Sequence, residues 1–290
     1  MFGATEGTVE VDGLKLGTLT WGPADGTPVL CVHGWLDNGA SFAPLAAQLP
    51  EHRLIAVDMP GHGASQHRPI GAAYHQLDWI INVTTIMDRL GLERVVMMGH
   101  SMGAGIVALT TGTYPERVRG LVMFEGTGPR PTKPEEVPLA LREHCEVKRR
   151  EADRPVNHRG ASFETAVRAR VAFGDPIARG SAELLCQRGV VVAPGGVSFS
   201  ADRRLHQAQP LQLTEDQILA FYRRIACPTL IVSGSEGMRY NESIVASRKR
   251  AIADLTDVVV PGGHHVHMDV APQVATHVRS FLERLDVTDN

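Results

Sequence analysis

No stretch of this chain approaches the roughly 20 consecutive apolar residues that a membrane-spanning helix needs, so a membrane-embedded protein is not expected. The first residues, Met-Phe-Gly-Ala-Thr-Glu-Gly-Thr, lack the basic-then-apolar pattern of a secretory leader. The last, Asp-Val-Thr-Asp-Asn, are not a peroxisomal address of the Ser-Lys-Leu type. Cysteine is scarce. Cys31, Cys145, Cys186 and Cys227 fall in no Cys-x-x-Cys or metal-ligand spacing, which argues against a disulfide scaffold and for reduced thiols in the cytoplasm. An excess of either charge is missing too: 29 basic residues meet 32 acidic ones, so neither nucleic acid nor an anionic membrane surface is an expected partner. Repeats and low-complexity tracts are absent as well.

What is present is an ordinary globular composition, 43% hydrophobic over 290 residues, enough for one large α/β domain carrying an insertion. Residues 8–21, with turn residues Asp12-Gly13, read as an opening hairpin. Pro28 to Val32 is a continuous apolar run bounded by turn residues, as a parallel strand buried on both faces requires. A second strand covers 52–57. Leu77, Ile80, Ile81, Thr84, Met87 and Leu90 recur at helical spacing before Gly91. A strand from Arg94 to Met98, a helix ending near Tyr114-Pro115 and a strand from Val118 to Phe124 follow. The character changes at Gly126. Residues 128–226 are richer in arginine and proline, with a hairpin expected over 190–199 and a helix start marked by the capping box of Thr214 and Gln217. Alternation of strand and helix resumes at Pro228 to Val232 and ends in a helix over about 270–285. We therefore expect a core from 1–127 and 227–290 and a mainly helical cap from 128–226.

Gly99-His100-Ser101-Met102-Gly103 matches Gly-x-Ser-x-Gly between a strand and a helix, where a sharp turn presents the serine hydroxyl at a helix N-terminus. Ser101 is the expected nucleophile. Oxyanion donors should come from the residue after it and from the loop after an earlier strand, which points to the backbone N–H groups of Met102 and Trp35. A base is expected after the last strand. Pro261-Gly262-Gly263-His264-His265-Val266-His267 offers three histidines there, and chain order favours His264, with His267 in reserve. A metal site from this cluster is the competing reading, weakened by the lack of a companion carboxylate nearby in sequence. His33, His62 and His100 read as loop-structuring or packed residues rather than catalysts.

These residues carry a resemblance. His33 to Asn38, Asp58 to Gly63, Gly99 to Gly103 and Val259 to Met268 closely resemble the α/β-hydrolase superfamily, which implies a mostly parallel, doubly wound sheet with an inserted cap. Within it, His33 to Asn38, Glu183 to Gly189 and Asp202 to Leu205 resemble the serine hydrolase-like protein group. The resemblance implies a hydrolase without naming its substrate. Many relatives place the triad acid as Asp in a Gly-x-x-Asp pattern after the strand matching Thr229 to Ser233, but this chain reads Gly234-Ser235-Glu236-Gly237, with glycine at that place. Elsewhere in the superfamily the acid follows the strand after the nucleophile helix, and Glu125 stands there. Glu125 is thus the expected acid, with Glu236 as the alternative.

A serine nucleophile disfavours the alkyl-enzyme route of Asp-dependent dehalogenases and epoxide hydrolases. The expected reaction is hydrolysis of carboxylic esters with small or medium apolar acyl groups, through an acyl-enzyme. Carbon–carbon bond hydrolysis, perhydrolysis, or ligand binding with negligible turnover are the alternatives. No feature points to a nucleotide, flavin or metal cofactor. The cap arginines Arg149, Arg150, Arg154, Arg159, Arg168 and Arg170 could serve an acidic substrate, but more often such residues form solvated helix faces. Phe221 and Tyr222 are expected to influence acyl selectivity if they face the pocket. A histidine base must be neutral to accept the serine proton, so turnover should rise with pH through the neutral region. A profile flat from about pH 5 to 8 would exclude such a base.

Overall fold

The computed structural model describes residues 3–151, 160–207, 209 and 211–288. The opening hairpin pairs β1 (Thr5–Val11) with β2 (Leu14–Trp21). Its turn residues Asp12 and Gly13 both have positive φ, 51° and 77°, as a two-residue hairpin turn of matching twist demands. There follow β3 (Pro28–Val32), a short α1 (Ala43–Ala46), β4 (Arg53–Val57), α2 (Gln76–Arg89), β5 (Val95–His100), α3 (Met102–Thr113) and β6 (Val118–Phe124). Between β6 and the next strand of the main sheet lie α4 (Val137–Glu151), α5 (Phe163–Ala172), α6 (Arg179–Gly189), the hairpin of β7 (Val190–Ala193) and β8 (Gly196–Phe199), and α7 (Glu215–Tyr222). The chain closes with β9 (Thr229–Gly234), α8 (Glu242–Ala251), β10 (Leu255–Val260), α9 (Val266–Asp269) and α10 (Ala271–Thr288).

Eight strands form one sheet in the order β1-β2-β4-β3-β5-β6-β9-β10, parallel from β4 to β10, with β1 and β2 antiparallel at one edge. Every residue of β5 is buried, which accounts for the apolar stretch Val95 to Met98: helices cover both faces of a parallel sheet. One apolar core, including Phe42, Phe124, Phe281 and Leu282, fills the α1/α10 face. The other, including Trp79, Ile86, Ile106 and Tyr222, fills the α2/α3 face. Chain order runs outward in opposite directions from β3, to β4 on one side and β5 on the other. That divergence opens a crevice at the carboxyl ends of the strands, where open α/β sheets gather their ligands.

Two sequence expectations need correction. The buried stripe of α2 is Trp79, Ile80, Asn82, Val83, Ile86 and Met87, whereas Leu77 and Ile81 are exposed; the helix is rotated so that Trp79 takes the core position. Phe221 and Tyr222 do not face the pocket. Tyr222 is fully buried against α3 and donates from its hydroxyl to the Thr127 carbonyl at 2.5 Å, while the Phe221 backbone closes on Gly112 so tightly that a Cβ there would collide.

Four of the buried imidazoles are almost completely sealed from water. Burial lowers the pKa of His33 and His100 to about 4 and of His62 to about 3, and holds His267 well below the ordinary value. Such rings bind protons more readily in the unfolded chain, so unfolding takes up protons as the pH drops below the ordinary histidine value of about 6.5. Stability should therefore fall between about pH 6.5 and 4. Urea midpoints at pH 7 and pH 5 test this; equal midpoints would contradict the buried neutral state.

Candidate active site

Ser101 sits at the bend between β5 and α3 with φ 50° and ψ −110°, a conformation that costs an L-residue energy and is held by its surroundings. Its N–H donates to the Phe124 carbonyl at 2.9 Å, and its own carbonyl accepts from Gly105 at 3.2 Å. The flanking glycines are obligatory: a Cβ on Gly99 would strike the Gly103 backbone, and one on Gly103 would strike the Val32 carbonyl. The second contact shows how closely the end of β3 lies against the start of α3. Met102 N–H belongs to the first turn of α3, where backbone donors have no intrahelical acceptor. Trp35 follows β3, and its indole donates to the Leu205 carbonyl at 3.1 Å, which anchors the ring beside Phe173.

Glu125, directly after β6, also has a positive φ, 49°. Leu36 has φ 61°, so three of the four described non-glycine residues with positive φ stand at the carboxyl ends of β3, β5 and β6. Strain concentrated in this way is a mark of functional sites. The Glu125 carboxylate is 3% exposed. One oxygen accepts from Gly234 N–H; the other accepts from Met238 N–H at 3.1 Å and lies 3.1 Å from His264 Nδ1. Burial raises its pKa, but the His264 contact and the two backbone donors outweigh that and hold the carboxyl below its usual range. A Cβ at Gly237 would collide with both Glu125 oxygens. The carboxylate delivered from β6 thus fills the space beside the position where relatives place Asp. Glu236 is exposed, and its backbone N–H is taken by the Gly262 carbonyl at 2.9 Å.

The histidine cluster separates by partner. His264 turns to Glu125. His265 Nε2 lies 3.1 Å from the Arg170 guanidinium and 3.5 Å from Asp37. His267 is fully buried between Phe42 and Phe124. His100 Nε2 donates to the His264 carbonyl at 2.9 Å. His33 donates to the Gly34 carbonyl from Nδ1 and accepts Met59 N–H at Nε2, and His62 bonds the Pro60 carbonyl, so both organise loops.

Ser101, Met102, Trp35 and His264 all line one cavity of about 470 Å³, with Arg130, Arg170, Phe173, Met238 and Tyr240 among its other walls. Of the six arginines expected in a cap, Arg170 reaches this cavity; Arg149, Arg150 and Arg168 are exposed, and Arg154 and Arg159 lie outside the described residues. Sequence reading had no signal for Phe173, Met238 or Tyr240, which come from loops without periodicity. Asp37 was visible only as part of the His33 to Asn38 run. Its carboxylate is 2.6 Å from Arg170 and 3.4 Å from His100 Nδ1. Burial raises its pKa, yet His100, His265 and Arg170 together hold it well below the usual range.

Residues 27–271 match the family described as the alpha/beta hydrolase fold. The chain belongs to that family. It is similar to the serine hydrolase-like protein of Danio rerio, with 30% identity over 91% of this chain and 83% of the relative. It is similar to the crystal structure of a hypothetical protein from Pseudomonas aeruginosa PAO1, with 35% identity and a TM-score of 0.88 over 96% of this chain and 99% of the other. A 2-(acetamidomethylene)succinate hydrolase of Mesorhizobium japonicum is 28% identical over 89% of this chain and 88% of its own.

The collision at position 237 makes a prediction about packing. Gly237→Ala should cost about 1–3 kcal/mol, as overpacking of a filled site does, and most of that cost should vanish in a Glu125→Ala background. Equal costs in both backgrounds, read from urea unfolding, would mean that the carboxylate does not own that space.

Proposed function

We propose that this protein hydrolyses carboxylic esters of small or medium apolar acyl groups through an acyl-enzyme on Ser101. The observation that carries the reading is the buried Glu125–His264 couple, 3.1 Å apart, whose histidine shares the wall of one cavity with a strained serine. Ser101 Oγ attacks the carbonyl carbon while His264 Nε2 takes its proton. Glu125, accepting from Nδ1–H, fixes the tautomer and stabilises the imidazolium. The oxyanion forms against the N–H groups of Met102 and Trp35, aided by the positive end of α3. The alcohol leaves with the proton from His264, and water then attacks the acyl-enzyme by the same route in reverse. These steps use side chains and backbone alone and require no cofactor.

Residues 128–226 act in this reading as a cap: Arg130, Arg170 and Phe173 bring its surface to the cavity that holds the serine. Trp35, Met102, Phe173 and Met238 supply apolar wall for an acyl chain. Carbon–carbon bond hydrolysis and perhydrolysis use the same groups. Arg130 favours a second reading, an acidic substrate such as that named for the Mesorhizobium hydrolase: it lies on the cavity wall with no ion-pair partner among the described residues.

A panel of p-nitrophenyl esters from acetate to decanoate, with a hemisuccinate added, decides between these. Ser101→Ala and His264→Ala should each lower turnover on the order of 10⁶-fold, and Glu125→Gln on the order of 10⁴-fold. Glu236→Gln should stay near wild type, and His265→Ala should be much milder than His264→Ala. A Ser101→Ala variant keeping a tenth of the activity ends the serine hydrolase reading. Absence of labelling by a fluorophosphonate together with no turnover on any ester would favour ligand binding without catalysis.

A further inference from the structure

Beside the Glu125–His264 couple lies a second cluster that ester hydrolysis does not use. Asp37 follows β3, His100 ends β5 and His265 follows His264; all three are buried. One ligand-capable atom from each lies within 4.8 Å of the others. Their partners fix the hydrogens. His100 Nε2 faces a carbonyl oxygen 2.9 Å away, which can only accept, so this nitrogen carries the proton. The neutral ring then has a lone pair at Nδ1, which makes no hydrogen bond and points at Asp37 Oδ2 from 3.4 Å. His265 Nε2 faces the guanidinium of Arg170 at 3.1 Å, which can only donate, so Nε2 too is a lone-pair atom, 3.5 Å from the same Asp37 oxygen. With both rings neutral, three acceptor atoms converge on one point, which a shared proton or a bound cation satisfies. Such an arrangement repels itself unless positive charge is close, and Arg170 supplies some of it through its 2.6 Å contact with Asp37 Oδ1.

We propose that Asp37, His100 and His265 form a site for a borderline transition-metal dication of the Zn²⁺ class, with the Arg170 guanidinium as an internal competitor. Two imidazoles and one carboxylate suit zinc and its neighbours, and offer too few oxygens for calcium or magnesium. Loading takes the His265 lone pair that now accepts from Arg170, so the guanidinium must withdraw towards the cavity. The same three residues line that cavity, and water from it completes the coordination. Because His100 precedes Ser101 and His265 follows His264, the cation puts charge and strain on both turns of the proposed catalytic pair. Its effect is inhibitory.

The test is direct binding, independent of any substrate. Untagged protein stripped with a chelator is titrated with zinc chloride against a chromophoric zinc indicator. One saturable site is expected, tightened about tenfold or more by Arg170→Met and weakened about tenfold or more by His265→Gln and by Asp37→Asn, the range that partner changes produce at metal sites. Circular dichroism accompanies each variant, and His265→Gln carries the test if Asp37→Asn does not fold. Cys145→Ser should leave the stoichiometry unchanged; it controls for the exposed one of the four free thiols. Inhibition of ester turnover, where turnover is present, should track the same binding curve. No saturable binding in either wild type or Arg170→Met, binding indifferent to His265→Gln, or binding lost with Cys145→Ser would each overturn the proposal.

Discussion

The Glu125 carboxylate is the point on which the site depends. It stands at the end of β6, takes one backbone donor from the last residue of β9 and another from the loop beyond it, and meets a histidine delivered after β10. Three neighbouring strands thus converge on two oxygen atoms that are almost sealed from water. A carboxylate so placed is expensive to bury and stays ionised because three donors meet its two oxygens. Its backbone is strained as well, and the strain is held by the Glu125 N–H bond to the Val232 carbonyl at 3.0 Å and by Tyr240 donating to the Glu125 carbonyl at 3.2 Å. Position 237 then has no room for a side chain. The missing Asp after β9 and the Glu after β6 are one feature: the longer arm, from the neighbouring strand, occupies the space that a shorter one would fill.

The segments between β6 and β9 are tied to the sheet by a second set of buried polar contacts. Arg188, at the end of α6, reaches the fully buried Asp58 at 2.8 Å, and Asp58 also accepts from Gly39 and Ala64 N–H. Asn38 donates to the Leu185 carbonyl at 2.9 Å. Asp202 accepts from Tyr74 at 2.8 Å and from Arg204, whose guanidinium also binds the carbonyls of Arg68, Pro69 and Ala72. The runs Glu183 to Gly189 and Asp202 to Leu205, which mark the likeness to serine hydrolase-like proteins, therefore hold the inserted segment to the loops after β3 and β4. They are joints, and they speak to how that segment is held more than to what the cavity admits.

Much of the fold was legible in the sequence because the sheet is buried on both faces. β3 reads as an unbroken apolar run, β5 and β6 carry the apolar stretches Val95 to Met98 and Leu121 to Phe124, and the turn at Ser101 needs glycines that the chain displays. The errors came where the outcome depends on a partner far away. Leu77 and Ile81 share helical spacing with the buried residues of α2, and only the position of Trp79 against the core decides which stripe turns inward. Phe221 and Tyr222 look like pocket residues until α7 is seen packed on α3. Asp37 and Arg170 are 133 residues apart, and no periodicity links them. Glu125 and His264 are 139 apart, yet that pair could be anticipated, because each stands at the end of a strand whose place in the sheet follows from chain order.

The histidines show what the remaining information had to be. His100 packs against His264, His265 and His267 with ring centroids 4.8, 5.0 and 4.2 Å away, so four imidazoles share one small volume and sequence alone cannot divide the work among them. Their burial differs little. What differs is the partner on each ring: a carboxylate with backbone donors for His264, a carbonyl for His100, a guanidinium for His265, and the faces of Phe42 and Phe124 for His267. A general base needs an acceptor behind one nitrogen and open space before the other. His267 has neither, since both its nitrogens are buried without hydrogen-bond partners, and His265 has its Nε2 lone pair occupied by Arg170. His264 alone among the three of the loop combines a carboxylate at Nδ1 with a place on the wall of the cavity that also holds Ser101. The proposed choice therefore rests on which ring can take up a proton at one nitrogen while being held at the other, a property that resides in the contacts of the folded chain.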